Sequence, residues 1–328
     1  MKDSEVSFEI SSTTLGNPNE QGGMIGATKG LLTEAISKEQ YTNIVVDNAE
    51  KAKDITSEYF PKADFGVSVL ASAVQPEQMK DLISSVDYPY LVRFNTDFFK
   101  EKLTKSKKEG YTGLGLGIAI AQEYAYALLQ THNEREQKET TIKAVLNATK
   151  DTVKIRTCIK TASIEDEIRK IREVNNQLKD SGKNIIWAIE PNREVGDGTL
   201  SDFMTRYENI KNDPQNKNMQ FGIDLDMGGL PKVESSNILT ILDILERNGK
   251  KSLPLCISLS GQDYTNGSVR THLPLGADSD LNKKLGEWFK IRQYQGKNVP
   301  ALIIETSPTG NILADYEKFL SSFKKGLS

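Results

Sequence analysis

Apolar residues in this chain fall into two patterns. Short, nearly continuous runs read as strands: "VSFEI" (6–10), "NIVVD" (43–47), "FGVSVLA" (65–71), "YLVRF" (90–94), "VKIRTCI" (153–159), "IIWAIE" (185–190), "QFGIDLD" (220–226), "LCISLS" (255–260) and "ALIIE" (301–305). Between them, apolar positions recur near the helical period of 3.6. In "IEDEIRKIREVNNQL" they are Ile164, Ile168, Ile171, Val174 and Leu178. "NILTILDILERNG", which ends on Gly249, "DLNKKLGEWFKIRQY" and "DYEKFLSSFKKGL" follow the same spacing.

Strand and helix patterns alternating along a chain predict a parallel sheet. Strands apolar on both faces predict a sheet covered on both sides. The expected fold class is therefore α/β, a (β/α)8 TIM barrel, with residues 1–328 as one domain. Nine strand candidates are one more than such a barrel holds, so either 43–47 or 90–94 is expected to be an additional or irregular piece. Residues 100–150 break the rhythm with the charged run "KEKLTKSKKEGYTG" and a long helical pattern that includes His132. The glycines of "GYTGLGLG" do not have the spacing of a dinucleotide loop and read as a turn leading into a helix.

Composition adds limits. The chain has 328 residues, 27% of them charged, and a formal net charge of −3. This is no electrostatic footprint for nucleic acid, which usually needs a basic surface. No apolar run approaches the roughly 20 residues of a membrane span, and "MKDSEVSFEI" lacks the apolar core of a signal peptide. The expected partners are therefore neither nucleic acid nor membrane, and the expected location is cytoplasmic. Self-association into a homo-oligomer is left open. Cys158 and Cys256 lie in strand-like runs with no second cysteine nearby, and read as buried, reduced filler. Trp187, on the face of its strand opposite Ala188, is expected against the helices, and Trp288 in the core at helix-face spacing with Leu285 and Ile291.

Candidate chemistry comes from the ends of the strands. "IIWAIE" ends on Glu190, "FGIDLD" on Asp226 and "ALIIE" on Glu305. Acids often end strands as caps of the next helix. Three of the last four strands doing so suggests a shared site at the carboxyl rim, where barrel chemistry sits. Converging, desolvated carboxylates need a proton or a cation between them. A divalent ion with oxygen ligands, Mn²⁺ or Mg²⁺, is expected, or less favourably Zn²⁺ if His272 of "THLPLGADSD" joins.

The segments "WAIEPNREVGDGTLSDF", "FGIDLDMGG", "THLPLGADSDLNKKLGEWFK" and "VPALIIET" resemble, in this order, the C-terminal half of the xylose isomerase-like TIM-barrel superfamily. That group includes sugar isomerases, keto-sugar 3-epimerases, inosose dehydratases and isomerases, and endonuclease IV. The resemblance covers about residues 150–328. It implies one divalent metal held by a Glu ending the fifth strand, an Asp ending the sixth, a His on the seventh and a Glu ending the eighth. Glu190, Asp226 and Glu305 match three of these, and in epimerase-type members the two glutamates also move the proton. The chain departs from the pattern twice. "DMGG" puts Gly229 where a His is usual, and "ISLS" puts Ser258 or Ser260 in place of the seventh-strand His. The losses weigh especially against a three-zinc nuclease.

His272 is expected either to anchor its loop or to serve as a replacement ligand or substrate contact. Arg270, Asn192 and Asp224 are the further expected substrate contacts. The resemblance implies a metal-dependent sugar or sugar-phosphate isomerase or epimerase, with Glu190 and Glu305 catalytic and a small carbohydrate as substrate. Two alternatives remain: a catalytically inactive barrel that binds carbohydrate or protein, and a glycoside hydrolase using Glu190 and Glu305 as its carboxylate pair.

Overall fold

The structure is a computed structural model that describes residues 6–11, 15, 37–70, 88–93, 152–159, 164–178, 182, 184–191, 200–226, 239, 242, 256–263, 270–276, 279–306 and 311–328. The sequence readings at 100–150, at His132 and at Gly249 lie outside the described residues.

The chain is an α/β protein built on an all-parallel, curled sheet. Its strands are β1 (Ser7–Ser11), β2 (Asp64–Leu70), β3 (Tyr88–Arg93), β4 (Thr152–Ile159), β5 (Asn184–Pro191), β6 (Gln220–Asp226), β7 (Cys256–Leu259) and a last strand at Ala301–Ile304. Each pairs with the strand before and after it, and β1 pairs with both β2 and the last strand, so the sheet closes on itself. Between β7 and the last strand stands a separate two-stranded antiparallel sheet, β8 (Gly261–Asp263) and β9 (Arg270–Leu273). The last strand is therefore β10 in chain order.

Five long helices are described: α1 (Lys38–Tyr59), α2 (Ile164–Leu178), α3 (Leu200–Asn212), α4 (Ser279–Tyr294) and α5 (Ile312–Leu327). The periodicity readings at 164–178 and at the two C-terminal helices agree with them. The strand expected at 43–47 is a correction, because these residues lie inside α1. Helical spacing of Tyr41, Val45, Ala49 and Ala52, all buried, outweighs the β-branched pair Val45–Val46. Ser37 caps the helix, its hydroxyl accepting from the Gln40 N–H while the Gln40 side chain accepts from the Ser37 N–H. The other candidate for the surplus piece, 90–94, is strand β3.

Alternation along each strand sorts side chains into two layers. The outer layer meets the helices. Phe8 of β1 lies with its ring centroid 5.1 Å from Phe60 and 5.7 Å from Phe323, and Phe323 is 5.2 Å from Phe289 of α4. Trp187 is fully buried in this layer, as its place on the strand predicts, and its Nε1–H donates to Asn175 Oδ1 of α2 at 2.9 Å. Trp288 packs at the edge of the core with Arg292 over its ring, but Ile291 is 56% exposed, so the expected core stripe on α4 is narrower by one position.

The inner layer holds a smaller apolar cluster. Ala188, Cys256, Ala301 and Ile303 form their own cluster, since a closed sheet leaves little radius for bulk. Cys256 is a buried free thiol, in agreement with its reading as filler. The side chain of Cys158 lies outside the described residues.

Helices α4 and α5 cross by way of two glycines. A Cβ on Gly286 would run into the Phe323 carbonyl, and one on Gly326 into the Lys283 carbonyl. The helices thus touch backbone to backbone.

Candidate functional site

The strand register shows which inward positions stand side by side. Asp226 of β6 is in register with Ser258 of β7, Ser258 with Ile303 of β10, and Ile303 with Glu9 of β1. Asp224 is in register with Cys256, and Cys256 with Ala301. Ile189 of β5 pairs with Ile223 of β6, so the next residues along, Glu190 and Asp224, stand beside each other. Ile303 and Cys256 belong to the inner cluster, and these rows therefore face the barrel interior.

Four carboxylates in these rows are withdrawn from solvent. Glu9 and Asp224 are fully buried, while Glu190 and Asp226 retain only 6% and 7% exposure. Ser258, also fully buried, donates its hydroxyl proton to Asp224 Oδ1 at 3.1 Å. Glu305 follows β10 at intermediate burial, and its backbone N–H donates to the Leu259 carbonyl at 3.0 Å, which extends the pairing with β7 by one residue.

The expected site residues thus divide into groups. Glu190, Asp224 and Asp226 occupy inward, buried positions on adjacent strands, and Glu305 stands at the end of the last strand. Among the described residues, no group of three or more His, Cys, Asp and Glu is gathered closely enough to hold a metal ion. The donor chemistry, entirely oxygen, suits a hard cation, but the described side chains do not converge on one point. Arg270 and His272 belong to β9, so His272 sits on a strand of the small antiparallel sheet, where the sequence had placed it in a loop. Their side chains lie outside the described residues, as does Asn192 altogether.

The sequence reading did not single out Glu9 or the Ser258–Asp224 pair. The signal for Glu9 was present in "SFEIS", where an acid stands between two apolar residues of a buried strand. Ser258 was noted only as the replacement for an expected His.

The stretch "THLPLG" has a clear tertiary anchor. The Leu275 and Gly276 N–H groups donate to the two carboxylate oxygens of Asp315 on α5, at 2.9 and 2.7 Å. Asn282 Nδ2 donates to the Leu275 carbonyl at 2.9 Å, and Leu275 itself is buried. The segment entering α4 is thereby pinned to the start of α5. Asp315→Ala should leave both N–H groups without their acceptor and lower stability by about 1–3 kcal/mol, read from urea denaturation; an unchanged midpoint would refute the anchor.

Burial raises the Asp315 carboxyl above its ordinary value of 3.8, against the opposing pull of the two N–H donors and Lys318. The folded state therefore holds this proton more tightly than the unfolded chain. Its contribution to stability is greatest at low pH and falls as pH rises from about 3.8 through the raised folded value. Asp315→Asn should flatten that part of the stability–pH curve.

Comparison of the chain with protein-family models gives no match, and comparison with curated proteins gives no significant one. Among the described residues, no helix is long and apolar enough to cross a membrane.

Proposed function

We propose that the chain is a (β/α)8 barrel of the xylose isomerase-like kind, one domain over residues 1–328, and that it isomerises or epimerises a small carbohydrate. The observation that carries this reading is the burial of Glu190, Asp224 and Asp226 at adjacent inward positions on β5 and β6, with Glu305 at the end of β10. Burial of an acid carries a desolvation cost, which partners in the fold or a bound ligand offset. The carboxyl ends of parallel barrel strands are where such tasks are found.

In this reading, Glu190 takes a proton from the carbon next to a substrate carbonyl. The C–H electron pair moves into the developing enediolate, and Glu305, which enters the cycle protonated, gives its proton to the carbon that sets the product, leaving Glu190 with the proton it took. Ser258 holds Asp224 in one orientation beside Glu190. Arg270 and Asn192 complete the substrate contacts. Glu190, Asp226 and Glu305, with His272, would have to be drawn together to hold a divalent ion of the Mn²⁺ or Mg²⁺ class, since among the described residues these carboxylates are not gathered closely enough for one, and Zn²⁺ is less suited to an oxygen-rich set. When bound, such an ion supplies positive charge to the substrate oxygens.

The test is proton exchange. The purified protein is incubated with a panel of aldoses and ketoses in D₂O with Mn²⁺ or Mg²⁺, and the carbon next to the carbonyl is followed by NMR. Deuterium incorporation with at least one sugar is expected. No incorporation with any sugar would overturn the isomerase reading. Cleavage of aryl glycosides in its place would assign the glutamates to hydrolysis, and sugar binding without turnover would leave a binding barrel. Exchange that persists in chelator would remove the metal from the scheme while keeping the glutamates.

A further inference from the structure

Ser260 immediately follows β7. Two residues earlier, Ser258 points inward and is bonded to Asp224, while Leu259 between them belongs to the outer core. Alternation therefore turns Ser260 to the inner side, one step nearer the carboxyl rim than Ser258. It is 8% exposed, and its hydroxyl oxygen is buried with no hydrogen-bond partner among the described residues. The Glu305 N–H bonded to the Leu259 carbonyl brings the end of β10 alongside.

A buried hydroxyl without a partner lowers the stability of the free protein, and it is the kind of exception that calls for an explanation. Ser258 bonds within the fold, whereas Ser260, just past the end of the same strand and on the same side, has no partner among the described residues. The difference between them is position: Ser260 lies one step nearer the carboxyl rim. Resting on the sugar-chemistry reading above, we infer that Ser260 contacts ligand, its hydroxyl exchanging a hydrogen bond with a hydroxyl or carbonyl oxygen of an uncharged, polyhydroxylated molecule. The inward carboxylates Glu190, Asp224 and Asp226 accept hydrogen bonds from such a ligand's hydroxyls and repel an anionic one. The ligand class is therefore a free sugar or polyol in preference to a phosphorylated sugar.

The experiment compares wild type with Ser260→Ala, using Ser258→Ala as the contrast. Without ligand, Ser260→Ala should melt at the same or a higher temperature than wild type, because no bond is lost. Ser258→Ala should melt lower, because Asp224 loses its donor. With whichever sugar undergoes exchange, Ser260→Ala should raise KM roughly two- to tenfold, the worth of one neutral hydrogen bond, and leave kcat within about twofold. A lower melting temperature with an unchanged KM would make Ser260 structural and overturn the inference, while exchange in wild type left the isomerase reading standing.

If wild type exchanges no sugar, the isomerase reading fails. The Ser260 contact is then decided by D-sorbitol and inorganic phosphate as thermal-shift probes. Stabilisation by sorbitol that Ser260→Ala loses supports the contact. No shift with sorbitol, or a shift with phosphate alone, overturns it.

Discussion

Glu190→Gln is expected to leave the protein folded and to reduce proton exchange by about 10²–10⁴-fold, the usual worth of a positioned general base. Glutamine keeps the size of the side chain, so the buried position on β5 does not collapse, and it keeps an acceptor oxygen. It cannot take a proton. The smaller desolvation cost of a neutral amide offsets the loss of the carboxylate's own contacts, so the variant should still unfold cooperatively near the wild-type temperature. The loss should appear in kcat more than in KM, because the interaction removed is made as the proton moves. Asp166→Asn is the matched control: Asp166 is an exposed acid of α2 paired with exposed Arg169. If the glutamine variant exchanges protons as fast as wild type, Glu190 is not the base, however well it is placed.

A second large effect, on stability, is expected where α4 crosses α5. Gly326→Ala puts a methyl group against the Lys283 carbonyl and close to the Glu287 N–H. Two effects of opposite sign compete. Alanine inside a helix is favoured over glycine by about 1 kcal/mol. Against this, the methyl meets backbone, which cannot move aside as the end of a flexible side chain would, and overpacking of this kind costs typically about 1–3 kcal/mol and sometimes more. Because the contact is with main chain, the steric term should win, with a lower melting temperature and a lower urea midpoint. Gly286→Ala should behave alike against the Phe323 carbonyl, and the double variant should lose less than the sum, since both methyls force apart the same pair of helices. A melting temperature for Gly326→Ala at or above that of wild type would mean that the helices are not in backbone contact there.

The two cases differ in how far the sequence exposed them. Glu190, Asp226 and Glu305 were legible because each ends an apolar run, and a parallel sheet places such ends on one rim. Glu190 and Asp226 are buried there, and Glu305 is half-buried. Glu9 was hidden because one acid inside a five-residue run resembles ordinary alternation. Only closure of the sheet, with β1 between β2 and β10, turns its side into an interior. The 43–47 run misled because its centre, Ile44, Val45 and Val46, fits a strand locally. The helical set Tyr41, Val45, Ala49 and Ala52 becomes decisive only over the whole of α1.

The chain by itself determined the alternation of strands and helices, the parallel class of the sheet, the C-terminal helices and the acids at the strand ends. All of these depend on spacing along the backbone, which the order of residues carries directly. Tertiary structure alone decided the rest: which strand closes the sheet, that Ser258 is bonded to Asp224 while Ser260 is left facing the rim, that Asp315 holds the "THLPLG" segment, and that Gly286 and Gly326 mark one crossing. These are contacts between residues distant in the chain, 34 positions apart at Ser258–Asp224, 39 at Gly276–Asp315 and 40 at Leu275–Asp315, and they exist only once packing has brought separate elements together.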